Sequence, residues 1–258
     1  MGQDYGVDLG LAGRGYVVSG GSRGLGRATA EALVADGARV VIGARDQDSV
    51  ERAAQELGGP AHAVGVTADL GRAASAQRLV EAAHSAYGGL DGALVSVGGP
   101  PPGSGLETEE EAWRAAFESV FLGALRLVRQ VAGALGEEGG SIALVLSSSV
   151  RTPIPGLAIS NGLRPGLAGL TKTLAIELGP RRIRVNGLLP GRISTDRSRE
   201  IDAATDEAVR QQQLARIPVG RYGEPAEFGK VAAFVLSPAA SYVTGSMVTV
   251  DGGMMPTW

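Results

Sequence analysis

The stretch from Gly15 to Arg45 constrains the fold of this chain more than any other. Tyr16-Val17-Val18 is short and apolar, as a buried strand requires, and it runs directly into Ser19-Gly20-Gly21-Ser22-Arg23-Gly24-Leu25-Gly26. Ala28, Ala32, Leu33 and Ala35 then give a helical segment one apolar side, Gly37 closes it, and Arg39-Val40-Val41-Ile42 reads as a second strand. The order is strand, glycine loop, helix, strand. Gly20, Gly24 and Gly26 let the backbone turn tightly, approach a ligand without Cβ atoms and aim helix N-terminal N–H groups at an anion. A diphosphate is the group such a loop suits.

The exit of the second strand bears on which dinucleotide is expected. An acid there would bond the ribose 2′-hydroxyl of NAD, whereas Gly43-Ala44-Arg45 offers a cation, as for a 2′-phosphate. Arg23 inside the loop points the same way, so NADP(H) is expected over NAD(H); the alternative is two solvated surface arginines.

No linker or composition break divides the 258 residues, which are expected to form a single domain, 1–258. With 44% hydrophobic and 20% charged residues the chain can build a core, and its net charge of −3 gives no reason to expect nucleic acid. It has no cysteine, hence no disulfide, thiol catalysis or thiolate metal site, and His62 and His84 are too scattered to form a metal cluster. No apolar run reaches transmembrane length and no basic-then-apolar leader opens the chain, so no membrane partner and a cytoplasmic location are expected.

Met1 to Gly13 lacks a period and reads as a flexible lead-in, with Leu9 and Leu11 against the edge of the first strand. Asp46 and Asp48 supply cap-like acids for a helix to about Leu57, Gly58-Gly59-Pro60 ends it, and a third strand follows around Ala61 to Val66. Leu79, Val80, Ala83 and Tyr87 share a helix face, and Gly88-Gly89 leads into a strand from Gly92 to Val95. Glu107 to about Leu135 reads as one long helix or two in series, with Trp113, Phe117, Val120, Leu125 and Val128 buried. Ile142 to Leu146 is the next strand. Leu163, Leu167, Leu170, Leu174 and Leu178 then mark one helix face. Pro165 suggests that this helix begins only near Arg164, leaving Ser160 and Asn161 in a loop or cap. Ile183 to Leu188 is another strand, Arg192 to Gln213 a polar, poorly periodic flap, Glu224 to Leu236 a helix and Met247 to Val250 the last strand. Strands alternating with helices predict an α/β fold: one doubly wound, Rossmann-like parallel sheet with helices on both faces. Ligands of such sheets bind outside the carboxyl ends of the strands, where Gly20 to Gly26, Arg45, Asp69 and Ser96 to Gly99 would lie.

Along nearly its whole length the chain resembles the short-chain dehydrogenase/reductase family, most closely its 3-oxoacyl-acyl-carrier-protein reductases. The resemblance is carried by Ser19-Gly20-x-x-x-Gly24-x-Gly26, Asp69, Leu189-Pro190-Gly191-Arg192-Ile193-Ser194-Thr195, Ile217 through Pro225, and Thr244-Gly245 through Asp251-Gly252-Gly253. It implies a small-molecule substrate, a homo-oligomer, often a tetramer, and cofactor contacts from Gly20, Ser22, Arg23, Gly24, Leu25, Gly26, Arg45, Asp69, Leu70, Gly98, Gly99, Arg164, Pro190, Gly191, Ile193 and Thr195.

In that family a tyrosine protonates the carbonyl that receives hydride, a lysine lowers its pKa and holds the nicotinamide ribose, a serine polarises the carbonyl and an asparagine holds a water. Counting back from Thr171-Lys172-Thr173-Leu174-Ala175, the tyrosine position falls on Ser160 and the lysine position on Arg164, while Trp113 and Gly123 place the asparagine position on Val120. Ser147 remains, thirteen residues before Ser160, with Ser148 and Ser149 beside it. An aliphatic hydroxyl is a far weaker acid than a phenol of pKa about 10, and arginine stays protonated, so the usual relay does not operate. This matches an atypical subgroup lacking the catalytic Tyr and Lys, with Ser147, Ser160 and Arg164 as candidate catalytic residues. Arg164 suits a ribose or an oxyanion; equally, with only Lys172 and Lys230 as lysines, the exchange is drift. Ser147 is either catalytic or a strand end bonded to its own backbone. Arg192, Arg197 and Arg199 suit a substrate anion or are balanced by Asp196 and Glu200. Three readings stand: an NADP(H)-dependent oxidoreductase on a carbonyl or alcohol, a non-redox isomerase, lyase or dehydratase, and a cofactor-binding protein without turnover.

Overall fold

The computed structural model describes residues 8–203 and 206–256, the side chains of Arg197 and Ile201 excepted. Seven parallel strands lie in the order β3-β2-β1-β4-β5-β6-β7. They are β1 (Gly15–Ser19), β2 (Arg39–Ala44), β3 (Ala63–Thr67), β4 (Gly92–Val95), β5 (Gly140–Val145), β6 (Ile183–Pro190) and β7 (Met247–Val250). The helices are α1 (Gly24–Ala35), α2 (Gln47–Glu56), α3 (Ala74–Tyr87), α4 (Glu110–Ala116), α5 (Gly123–Ala134), α6 (Ala158–Leu178), α7 (Asp196–Ala203), α8 (Glu207–Ala215) and α9 (Pro225–Leu236). The fold is thus the doubly wound α/β sheet that the strand–helix alternation predicts. Strand order reverses between β1 and β4, the switch point outside whose carboxyl ends sheets of this kind bind their ligands.

Alternation along each central strand feeds two cores. Val17, Ile142 and Leu144 face Leu79, Leu127, Leu167 and Leu174 of α3, α5 and α6. Tyr16, Val18, Ala143 and Val145 face Leu33, Val50, Phe228 and Ala232 of α1, α2 and α9. Local chemistry sets several ends. Asp46 accepts the Ser49 N–H at 2.8 Å to cap α2, and that bond holds its carboxyl below the usual range. Gly88 ends α3 at φ +75°. Leu11 is 1% exposed and belongs to the second core, so this part of the presumed lead-in is packed structure; Met1–Val7 lie outside the described residues.

Four expectations are corrected. Helix α6 begins at Ala158, a full turn and a half before Arg164, with Pro165 inside it. Its first turn is held from outside: Asn161 pairs its amide with both backbone groups of Ile154, at 3.0 and 2.8 Å, and Ala158 N–H donates to Gly103 O at 3.2 Å. These tertiary bonds outweigh the helix bond that proline forfeits. Residues 192–213 contain two helices, α7 and α8, supported by the ion pairs Asp196–Arg199 and Glu207–Arg210 and by Asp206 capping Ala208 N–H. Phe117 is 43% exposed, because Phe117–Leu122 is a π turn joining α4 to α5; the wider turn shifts which side chains face inward, burying Leu127 fully while Leu125 is half-buried. The third strand is Ala63–Thr67, after a 3₁₀ turn at Gly59–Ala61 that Gly58 opens at φ +103°.

The start of α9 makes a prediction. Glu227 accepts both Arg221 Nη groups and the Glu224 N–H at 2.8 Å, which hold its carboxyl down to about 2. An unfolded glutamate titrates near pH ~4.3, so this support is fully present above that value and is lost as pH falls toward the folded value. Melting temperature followed from pH 5 to pH 2 is expected to fall less steeply in Glu227→Gln than in the wild type, by a small margin because the pair is exposed.

Candidate functional site

The site at the switch point is built first from bare backbone. Gly20 and Gly24 sit at φ +64° and +58°, where side chains are strained. A Cβ on Gly20 would lie 3.0 Å from Ser96 O, and one on Gly26 2.2 Å from Gly20 O. Ser19 clamps the neighbouring strand ends: its Oγ donates to Ser96 O at 2.8 Å and accepts Ser96 N–H at 2.9 Å. The twelve-residue α1 starts at this loop, after Arg23 in extended conformation. Loop and helix together form a cradle of bare backbone, packed too tightly for side chains, at the N-terminus of α1, where backbone N–H groups suit an anion such as a diphosphate.

Other predicted residues gather around this cradle. Thr195 approaches the Gly24 Cβ position to 3.7 Å, which brings the segment after β6 against the glycine loop. That segment is anchored by Gly191 N–H to Val250 O at 3.0 Å, by the Ile193–Gly223 bridge and by Ser198 Oγ, which accepts Thr195 N–H at 2.8 Å. Pro190 ends β6, and a Cβ on Gly191 would lie 2.6 Å from Asp251 Cβ. Asp69 and Leu70 follow β3; Asp69 Oδ1 accepts Gly71 N–H at 3.0 Å, and Leu70 O lies 2.6 Å from the Gly123 Cβ position. Gly98 and Gly99 are exposed after β4, half-buried Ser22 and Leu25 lie in and just beyond the loop, and Arg23 and Arg45 are exposed cations at the carboxyl ends of β1 and β2.

The second group lies where β5 meets α6. Ser147 is half-buried and its Oγ accepts Ser149 N–H at 3.1 Å, capping a short 3₁₀ turn, Ser148–Val150. Its oxygen is therefore engaged with local backbone, while its O–H remains available to a ligand. Ser160 meets Ser149 at 3.2 Å between hydroxyl oxygens. Arg164 is 5% exposed; Nη1 donates to Val145 O at 2.6 Å and Nη2 reaches Val97 O at 3.5 Å, joining the ends of β5 and β4. Val120 is buried in the π turn. Arg192 pairs with Asp202 at 3.4 Å and lies over the Tyr222 ring, and Arg199 pairs with Asp196; the Arg197 side chain lies outside the described residues.

Sequence reasoning placed Ser149 beside Ser147 but did not connect it with Ser160, eleven residues away. It also missed that Asn161 pins the Ile154 loop, whose neighbours Pro153 and Gly156 line a cleft of about 350 Å³ together with Gly103, Ser104 and Ala158. The serine triplet and the asparagine were visible signals; their partners depend on the packing of α6. Two phenols bond elsewhere: Tyr16 to Leu236 O at 3.4 Å, where burial pushes it far above its ordinary value, and Tyr87 to Val40 O at 3.3 Å. Among the described residues no three His, Asp or Glu side chains gather as a metal site, and no helix is long and apolar enough to cross a membrane.

Comparison with known proteins places these features in context. The family model described as Enoyl-(Acyl carrier protein) reductase matches residues 20–255. Human dehydrogenase/reductase SDR family member 4 is 36% identical over 249 residues, covering 94% of this chain and 88% of the relative. L-rhamnose 1-dehydrogenase (NAD(P)(+)) of Azotobacter vinelandii is 36% identical over 248 residues, with 92% and 95% covered. The structure of L-sorbose reductase from Gluconobacter frateurii with NADPH and L-sorbose superimposes at a TM-score of 0.90, with 28% identity over 98% of this chain and 100% of that one. The 3-ketoacyl-(acyl-carrier-protein) reductase of Brucella melitensis, complexed with NADH, matches at 0.86, with 31% identity over 95% and 99%.

Proposed function

Because the chain belongs to the short-chain dehydrogenase/reductase family of oxidoreductases, we propose that it is an NADP(H)-dependent member acting on a carbonyl or alcohol through a non-standard site. The observation that carries the cofactor preference is the pair of exposed arginines, Arg23 and Arg45, at the carboxyl ends of β1 and β2, with a cation rather than an acid as the first residue after β2 and the next residue, Asp46, engaged in capping α2. The cradle holds the diphosphate through backbone N–H groups, Asp69 and Leu70 border the adenine side, and Gly98, Gly99, Pro190, Gly191, Ile193 and Thr195 border the remainder. When bound, the nicotinamide supplies or accepts the hydride.

The chain's own residues act on the substrate oxygen. In this reading Ser160 and Arg164 stand where the family has its tyrosine and lysine, and Ser147 keeps the serine position. None is an acid of suitable strength, so they stabilise charge at the oxygen by hydrogen bonding and by the fixed cation, and the proton comes from water. Arg164 acts mainly at a distance, since Nη1 is engaged by Val145 O. The homotetramer that the resemblance implies is tested by light scattering of the purified protein.

Calorimetric titration tests the cofactor reading. Wild type is expected to bind NADPH at micromolar Kd and NADH at least about tenfold more weakly, a difference of roughly 1.4 kcal/mol. Arg45→Ala is expected to weaken NADPH about tenfold and leave NADH unchanged, as loss of one charged contact to a 2′-phosphate requires. Equal loss for both cofactors contradicts the assignment. NADPH binding without reduction of any carbonyl would instead favour a cofactor-binding protein without turnover.

A further inference from the structure

Ser149 and Ser160 are 2% and 7% exposed, and their hydroxyl oxygens lie 3.2 Å apart. Two hydroxyls carry two protons, and the hydrogen bond between them uses one. Whichever oxygen donates, the other retains an O–H, and among the described residues neither hydroxyl has a hydrogen-bond acceptor other than its partner. A buried donor of this kind is unfavourable for the protein alone and becomes favourable when a ligand atom accepts it.

The surroundings select that atom. Ser149 N–H donates to Ser147 Oγ at 3.1 Å, so three serines form a continuous array from the end of β5 to the first turn of α6. One helical turn beyond Ser160, on the same face, lies the buried guanidinium of Arg164. A spare O–H close to a fixed positive charge suits an oxygen, above all one that gains negative charge as its bonds change. A cationic or purely donating group is excluded by the same field.

Resting on the oxidoreductase reading above, we infer that Ser149 and Ser160 work as one hydroxyl pair donating a single hydrogen bond to the carbonyl or alcohol oxygen of the substrate, with Ser149 as the residue that positions Ser160. No proton leaves the pair. It polarises the oxygen, and solvent supplies the proton.

Ser149→Ala, Ser160→Ala and the double variant, made in the full chain, test this by thermal melting and by steady-state reduction of phenanthrenequinone with NADPH. Removing both hydroxyls removes the spare buried O–H along with the bond, so the double variant is expected to melt at or above the wild-type temperature. Each single variant is expected to lower kcat at least about tenfold with KM nearly unchanged, as loss of an interaction made in the transition state requires. The double variant should be about as slow as either single one, because the two hydroxyls act as a unit. A double variant that melts several degrees below wild type would show a structural pair and overturn the inference. Wild-type kcat in all three variants overturns it too. If wild type binds NADPH yet reduces no carbonyl, the oxidoreductase reading and this inference fall together, whereas an active wild type with unaffected variants removes the inference alone.

Discussion

Gly26→Ala is expected to abolish measurable dinucleotide binding, weakening NADPH at least about 100-fold, or roughly 2.7 kcal/mol. The added methyl would sit 2.2 Å from Gly20 O and 2.7 Å from Gly20 C, both backbone atoms with no side chain to swing aside. The loop itself would have to move. It is held by Ser19 at Ser96 and by Gly21 N–H on Gly43 O at 3.1 Å, so the strain falls on the geometry that forms the cradle. Overpacking of this kind costs about 1–3 kcal/mol in stability, which lowers Tm by several degrees in a domain of this size. Calorimetry and thermal melting on the same preparation separate lost binding from lost folding. Wild-type affinity in this variant would mean that the glycine loop is not where the cofactor's phosphates sit.

Arg164→Ala is expected to lower stability by about 3–5 kcal/mol, or on the order of 10 °C in Tm. Two losses combine. The side chain is 5% exposed, so truncation opens a cavity beneath α6, and the charged donor 2.6 Å from Val145 O disappears. Arg164→Met keeps most of the stem and should recover the packing part but not the hydrogen bond. Arg164→Lys keeps the charge without the fork that reaches both Val145 O and Val97 O, and should fall between. Melting curves of the three variants rank these contributions. An Arg164→Ala protein as stable as wild type would show that the guanidinium serves only the ligand site.

The hydrogen bonds of Arg164 give it a structural role that its place in the chain order does not show. Counting along the helix singles out Arg164, but no spacing rule shows where a guanidinium ends. Its acceptors stand nineteen and sixty-seven residues earlier in the chain. The same holds for Ser160 and for the proline. Local propensity argues that Pro165 should begin a helix, and Asn161, bonded to a loop seven residues back, lets the helix begin before it. Likewise, an apolar period that expects a regular helix across Phe117 cannot foresee the π turn that exposes it.

What the amino-acid order determined by itself is what neighbours in the chain can settle: the strand–loop–helix unit at Gly15 to Arg45, the alternation that makes a two-faced parallel sheet, the glycines that turn with positive φ, and the exposed cations at the carboxyl ends of β1 and β2. These rest on periodicity, steric freedom and charge, which act over a few residues. The tertiary structure alone decided that Ser149 meets Ser160, that Ser147 caps its own turn and that Arg164 is tied to the ends of β4 and β5. Those are choices among hydrogen-bond partners brought together by packing α6 onto the sheet. In a buried site, where polar groups bond to whatever packing brings within reach, such choices follow from three-dimensional proximity.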